Sequence, residues 1–225
     1  MRVVVAAAGS QAKWGGHLGV RSHFAPVRAR LGGEEREPLL ARTLRQLSAT
    51  GADVWVTAPA EDPGPYRAVA GGCGVRVLVA EGRNEFVASR PAWAESGRTV
   101  LLLGDVWFTD EALATILDCP DTDVRFFGRE HASHLTGSRW GEIFATSWDA
   151  GQAAGLAAMV EAVGREQDAG RADRAAGWAL LRMVQGTPLQ THLVHAPWWV
   201  RIDDATDDID FPEDFERHPA TRGAA

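Results

Sequence analysis

The apolar run TVLLLGDVWF, residues 99 to 108, is interrupted by a single acid, Asp105. A carboxylate at the carboxyl end of a buried strand is costly to desolvate unless a cation or hydrogen-bond donors meet it. A magnesium ion held by one or two carboxylates and by substrate phosphates satisfies that need. Asp105 is therefore a candidate metal ligand, the alternative being a solvated aspartate that caps the next element. A partner acid should come from RIDDATDDIDFPEDFERH near the C-terminus, which offers Asp203, Asp204, Asp207, Asp208, Asp210 and Asp214. Acidic runs are usually hydrated faces, and Asp203, Asp204 and Asp207 read that way. Asp210, just ahead of a helix opened by Pro212, is more specific, with Asp208 behind it.

A second chemical feature opens the chain. VVVAAAGSQAKW passes from a short apolar strand through a small-residue corner into a polar loop holding the only lysine, Lys13. No side chain at Ala7, Ala8, Gly9 or Ser10 would keep a planar base or a phosphate from the backbone N–H groups. The dinucleotide fingerprint GxGxxG and the Walker loop GxxxxGK[ST] are both absent here. Between these features, residues 126 to 148 carry His131 and His134; without a nearby Cys or third His, they read as surface or substrate contacts rather than metal ligands. The tryptophans read as packing, with Trp14 the one that could lie over a bound base.

The elements that must position these groups alternate between strand and helix. Strands are expected at 3–7, 53–59, 75–80, 99–108, 123–129 and 141–148, with strand pieces at 191–196 and 198–203. Helices are expected at 38–48, as a short helix with a Gly-rich exit within 63–74, at 84–96, from Thr109 as cap through Leu117, at 150–165 and 171–184, and from Pro212. This order predicts a mostly parallel sheet covered by helices on both faces, a three-layer α/β/α arrangement. Ligands on such sheets bind at the carboxyl ends of strands where the strand order reverses, which selects the loops after Ala7, Ala58, Ala80 and Leu103. One domain over residues 1–218 and a frayed tail at 219–225 are expected.

VVVAAAGSQAKW…FAPV…EPLLARTLRQL resembles the opening of the sugar-nucleotide pyrophosphorylase-like nucleotidyltransferases, which have the glycosyltransferase-A type, nucleotide-diphospho-sugar transferase-like fold. The resemblance covers residues 3–48, 99–108 and 209–216. It implies that Ala7, Ala8, Gly9 and Ser10 hold base and ribose, and that Lys13 lies against the triphosphate. Asp105 matches the family's metal-binding GD, and IDFPEDFE is similar to its IDTPEDL ending, which assigns the second Mg²⁺ ligand to Asp210. The same resemblance lays residues 129–142 over a phosphorylated acceptor, with Arg129, Ser138, Arg139 and Glu142 as contacts. One departure stands out: Arg21-Ser22 occupies the place of the family's Pro-Lys, so a second lysine is missing, and Arg21 is the nearest cation to replace it. Guanidinium and ammonium differ in shape and hydration, so the exchange is not neutral.

The implied activity is transfer of an NMP group from an NTP to a phosphorylated acceptor, such as a sugar phosphate, with release of pyrophosphate. A glycosyltransferase of the same fold and a nucleotide-binding protein weakened in catalysis are the rivals. Composition narrows the partners: a formal charge of −7 over 225 residues argues against nucleic acid or an anionic membrane surface. Nowhere do 18 apolar residues run together, and Cys73 and Cys119 are too few and too far apart for a disulfide framework or zinc knuckle. A cytoplasmic protein is therefore expected. The oligomeric state is left open.

Overall fold

Strand β1 (Arg2–Ala6) has buried valines at its centre because neighbours cover both of its edges and both of its faces. The computed structural model describes residues 1–120, 123–172 and 175–223. In chain order the elements after β1 are β2 (Pro26–Arg28), β3 (Arg36–Pro38), α1 (Leu39–Ser48), β4 (Asp53–Pro59), α2 (Gly64–Gly71), β5 (Arg76–Ala80), α3 (Glu85–Ser89), β6 (Arg98–Leu103), β7 (Val106–Trp107) and α4 (Asp110–Leu117). They continue with β8 (Arg125–Arg129), β9 (Glu142–Asp149), α5 (Ala153–Asp168), α6 (Ala176–Gln185), β10 (Trp199–Arg201), β11 (Asp207–Asp208) and α7 (Pro212–Arg217). Seven strands form one sheet in the order β10-β8-β9-β6-β1-β4-β5. Only β9 runs antiparallel to its neighbours, so the sheet is mostly parallel, as the alternation of elements predicts. The chain leaves β1 toward β4 and β5 and later returns to its other side as β6, so the order reverses at β1.

Alternating side chains along β1 feed two cores. Val3 and Val5 pack with Leu40, Leu44 and Leu47 of α1, Tyr66 of α2 and Ile116 of α4. Val4 faces the opposite side, with Phe86 of α3, Leu156 and Val160 of α5, and Leu180 and Leu181 of α6. A third, smaller core joins Trp14, Val27 and Leu39 to Trp107, Ile209, Phe215 and Ala220, tying the first loop to the last helix. Trp14 is buried in it and donates its indole N–H to the Val20 carbonyl at 2.8 Å, so packing fixes this ring.

Several expected elements change. The strand foreseen over 99–108 breaks at Gly104-Asp105: β6 stays in the large sheet, while β7 leaves to pair antiparallel with β11. The helix foreseen over 84–96 stops at Ser89 and passes into a 3₁₀ turn at Arg90–Ala92, where Pro91 supplies no N–H. Residues 191–195 form no strand, and the short β2–β3 hairpin was not foreseen. Helix α6 begins at Ala176; the earlier part of the helix expected from residue 171 includes positions 173 and 174, outside the described residues. The expected frayed tail is packed as far as Thr221, with Ala220 and Thr221 buried and the Ala220 carbonyl accepting the Arg28 amide at 2.7 Å, while Arg222 and Gly223 are exposed. Positions 224 and 225 lie outside the described residues. No helix among the described residues is long and apolar enough to cross a membrane.

Candidate active site

At the carboxyl end of the sheet, a cleft of about 660 Å³ opens over the reversal point. Ala8 through Lys13 form one wall, and the loop after β5 with the start of α3 forms another. The beginnings of β9 and α6 close the far side, and Asp105, Asp208 and Asp210 lie between.

Backbone geometry brings Asp105 beside the corner. The Gly104 amide donates to the Ala6 carbonyl at 2.9 Å, and a Cβ at position 104 would lie 2.8 Å from that same oxygen. Glycine is what lets β6 run this close to the end of β1. On its other side, the Asp105 carbonyl accepts the Ile209 amide at 2.8 Å, while Val106 and Trp107 pair with Asp208 and Asp207. This two-residue ladder carries the C-terminal acids to the mid-chain acid. The Asp105 and Asp210 carboxyls lie side by side, and burial followed by the charge of Asp210 holds Asp105 well above the ordinary carboxylate range.

Lys13 forms an ion pair with Asp210, and its ammonium also lies 5.2 Å from the centre of the Phe211 ring. Burial works against the ammonium charge, but Asp210, Asp208 and Glu142 more than offset this and raise its pKa. Glu142 is held at about 7 by burial and then by Asp210. Asp208 is pushed well above its usual value by burial and by Glu142 and Asp210, and its Oδ1 is buried without a hydrogen-bond partner. Asp105, Asp208, Asp210 and Glu142 therefore crowd negative charge around one lysine. Among the described residues no group of three or more His, Cys, Asp or Glu side chains is placed to hold a metal ion. Two abutting carboxylates beside an orphaned carboxylate oxygen nevertheless fit an Mg²⁺ ion that takes its remaining ligands from phosphates and water.

The first loop differs from expectation in one respect. The amides of Ala7 and Ala8 are not free, because both donate to the Thr57 hydroxyl, at 2.9 and 3.1 Å. The next five amides, Gly9 to Lys13, donate to no acceptor among the described residues. That row of unsatisfied donors on a cleft wall is suited to phosphate oxygens. Thr57, buried in an otherwise apolar strand, was not singled out from the sequence, since a lone threonine in DVWVTAP has no distinguishing pattern.

Arg21 does not line the cleft. Its Nη2 donates to the Gly9 carbonyl at 2.6 Å and its Nη1 lies 3.4 Å from Glu61, so the guanidinium holds the loop from behind. Arg129 is buried too and pairs with Asp207 at 2.8 Å, instead of projecting toward an acceptor. Asp207, read as hydrated, is fully buried and also accepts from the Ser133 and Thr136 hydroxyls. Ser138 donates to Glu142 at 3.3 Å, and Arg139 is exposed outside the cleft lining. Of the four foreseen acceptor contacts, Glu142 alone lines the cleft. Its placement depends on two glycines: a Cβ at Gly128 would lie 2.0 Å from the Glu142 carbonyl oxygen, and one at Gly141 would lie 2.5 Å from that of Arg129.

The mostly parallel sheet with its cleft at the β1 reversal is a fold shared with several solved nucleotidyltransferase structures. Solved structures of this kind superpose on nearly the whole chain. One, from Bacillus anthracis, is assigned as a glucose-1-phosphate thymidylyltransferase and was solved with a sucrose bound. It has a TM-score of 0.60 at 12% identity, covering 99% of this chain and 95% of that one. The 4-diphosphocytidyl-2C-methyl-D-erythritol synthase of Anaerococcus prevotii gives 0.57 at 13% identity over 97% and 96%. The inositol-1-phosphate CTP transferase of T. maritima gives 0.51 at 14% identity over 95% and 90%. No protein-family model and no curated protein matches the sequence. At these identities the likeness establishes the fold.

Proposed function

We propose that the protein is an Mg²⁺-dependent nucleotidyltransferase that transfers an NMP group from an NTP to a phosphorylated acceptor, releasing pyrophosphate. The observation that carries this reading is the meeting of Asp105 and Asp210 beside Lys13 and the five open amides of Gly9 to Lys13. A phosphate oxygen of the acceptor attacks the α-phosphorus, the bond to the bridging oxygen of the β-phosphate breaks, and pyrophosphate leaves. The nucleophile is already an anion, so the site needs in-line positioning and charge compensation rather than a general base. Asp105 and Asp210 would hold the Mg²⁺, its remaining ligands coming from phosphates and water; the ion supplies positive charge against the phosphates. Lys13 and the loop amides bind the departing β- and γ-phosphates, and Ala8 to Ser10 present backbone to base and ribose, with Ala7 buried behind them. Arg21 keeps the loop in shape through Gly9.

Structures of this fold include a glucose-1-phosphate thymidylyltransferase, a 4-diphosphocytidyl-2C-methyl-D-erythritol synthase and an inositol-1-phosphate CTP transferase, and a small hydroxylated monophosphate is the acceptor class that suits the cleft. Cys73 and Cys119 are half-buried and form no disulfide among the described residues, in keeping with a reducing cytoplasm. The reading assigns the activity to one domain over residues 1–218. A second reading, a nucleotide-binding protein with weak turnover, is favoured by one observation: Lys13 is the only lysine, and Arg21 stands outside the cleft.

A thermal-shift screen of the four common NTPs with and without Mg²⁺ tests the proposal. A ligand at about 100 times its Kd adds about 2.7 kcal/mol to the folded state. We expect an Mg²⁺-dependent shift with at least one NTP, lost in Asp105→Ala, and pyrophosphate release once a monophosphate acceptor is added. Binding without turnover over a broad acceptor panel establishes the second reading. A full Mg²⁺-dependent shift in Asp105→Ala removes that residue from the metal site.

A further inference from the structure

His23 lines the cleft together with the first loop, although it is almost wholly buried. It belongs to a 3₁₀ turn, Ser22–Phe24, that is tied to that loop: the Ser22 amide donates to Gln11 Oε1 at 2.6 Å. Behind the imidazole stands Tyr66 of α2, its hydroxyl 2.9 Å from His23 Nδ1 and its ring edge-on, with ring centres 5.9 Å apart. Tyr66 is fully buried, and among the described residues its hydroxyl proton has no acceptor other than Nδ1. A phenol proton left without an acceptor in the interior is costly, so the hydroxyl donates and Nδ1 accepts. The Arg21 guanidinium, which can only donate, acts on the same phenol and favours that direction.

Burial followed by the charge of Arg21 keeps the imidazole neutral, with its pKa pushed down to about 3. A neutral imidazole carries one N–H, and with Nδ1 accepting, that proton is on Nε2. Nε2 makes no hydrogen bond to any described residue. The cleft wall thus includes a neutral N–H donor with no acceptor, in a tautomer set from behind by Tyr66. Its surroundings select the group it would meet. The open amides of Gly9 to Lys13 and the Lys13 ammonium are donors, and the Gly9 carbonyl is already taken by Arg21 Nη2. A wall of donors matches a group that only accepts, which a triphosphate is. A ribose hydroxyl or a base edge would bring protons of its own to a place that offers them no acceptor.

We propose that His23 is a further phosphate-binding residue of this site, donating its Nε2–H to an oxygen of the triphosphate, and that Tyr66 is the positioning residue that fixes the imidazole in the tautomer able to do so. This rests on the nucleotidyltransferase reading. A preorganised neutral donor of this kind stabilises charge gathering on the phosphates without giving up its proton.

Nitrogen-15 NMR of the full chain, labelled at its histidines, reads the tautomer directly, with His23 assigned by the resonances lost in His23→Gln. The probe is inorganic tripolyphosphate with Mg²⁺, which carries the phosphates of an NTP without base or ribose. Expected are a neutral, Nε2-protonated His23 in the free protein at neutral pH and a downfield move of its Nε2–H resonance on addition of the probe. Tyr66→Phe should mix the two tautomers. Titration calorimetry adds the affinity. His23→Phe keeps a ring against Tyr66 and should bind Mg²⁺·tripolyphosphate about tenfold or more weakly, as for loss of a hydrogen bond to a charged group. His23→Gln, which keeps a side-chain N–H, should recover part of that loss. If His23→Phe fails to fold, the Nε2–H resonance of the parent decides. Protonation at Nδ1, an Nε2–H resonance unmoved by saturating probe, or parent affinity in a folded His23→Phe overturns the proposal. So does a resonance that moves with an NTP and not with tripolyphosphate, which would give His23 to the base or ribose. Each of these leaves the Mg²⁺-dependent NTP thermal shift of the parent intact, whereas absence of that shift with every NTP is a failure of the nucleotidyltransferase reading itself and takes this inference with it.

Discussion

Lys13 and His23 show how differently two basic groups can be used in one cleft. Lys13 is partly exposed and its ion pair is bathed by solvent, so it contributes little to folding. Its worth is in the charge it would set against the leaving pyrophosphate. Lys13→Ala is therefore expected to keep its unfolding free energy within about 0.5 kcal/mol of the parent while kcat falls by about 10²- to 10³-fold; urea unfolding and pyrophosphate release check the two halves separately. His23 is the reverse case. It is buried, its Nδ1 bonds the Tyr66 hydroxyl at 2.9 Å, and burial followed by the charge of Arg21 pushes its pKa down to about 3. The folded state thus refuses a proton that the unfolded chain accepts below about 6.5. Above that pH the histidine has no effect on the slope of stability; between 6.5 and 3, stability is lost as pH falls, by at most about 1.4 kcal/mol per unit. Urea unfolding at several pH values should show this slope in the parent and a flatter one in His23→Gln; equal slopes would clear His23.

At the scale of elements, the site depends on a strand that ends early. LLLGDVWF reads in the sequence as one continuous strand because its apolar residues give no sign of a break, and a two-residue ladder such as β7–β11 has no periodicity to detect. The acid at the end of the run, the small-residue corner and the PED helix start were all legible, since each rests on residue type at a fixed place. What the sequence could not reveal was which buried groups satisfy one another. Arg129, Ser138 and Arg139 looked like a polar surface over an acceptor, yet Arg129 is needed inside by Asp207, a pairing across 78 positions of chain. In the same way the Thr57 hydroxyl, not a ligand, takes the Ala7 and Ala8 amides. Gly104 is the structural crux of this level. Gly104→Ala forces a methyl to within 2.8 Å of a backbone oxygen that cannot move without disturbing the β1–β6 register. The substitution should cost about 1–3 kcal/mol and weaken the Mg²⁺-dependent NTP shift, because Asp105 follows directly. Calorimetry with and without Mg²⁺·NTP would show both effects, and a parent-like melt would mean that the corner relaxes freely.

Over the whole molecule, Lys13, Asp105 and Asp210 come from three distant parts of the chain, and the third core is what joins the first part to the last. Trp14 follows Lys13 directly and packs edge-on against Phe215, their ring centres 5.8 Å apart, while Phe215 sits five positions beyond Asp210. Neither the loop nor α7 belongs to the seven-stranded sheet, so this apolar contact, more than the sheet, fixes the distance between Lys13 and Asp210. Phe215→Ala empties a buried site and should cost about 3–5 kcal/mol. It should also lower affinity for Mg²⁺·NTP, since the binding-competent placement of the loop becomes only one of several, and apparent affinity falls with the populated fraction. Leu47→Ala is the control. Leu47 is as deeply buried but belongs to the core beneath α1, so its removal is expected to cost about 2–5 kcal/mol with nucleotide affinity retained in the surviving folded protein. Titration calorimetry on both variants well below their melting temperatures separates the two ideas. A loss of affinity in Phe215→Ala alone assigns the third core to the site, and equal affinities would mean that the loop is held by the β1 corner and Arg21 without it.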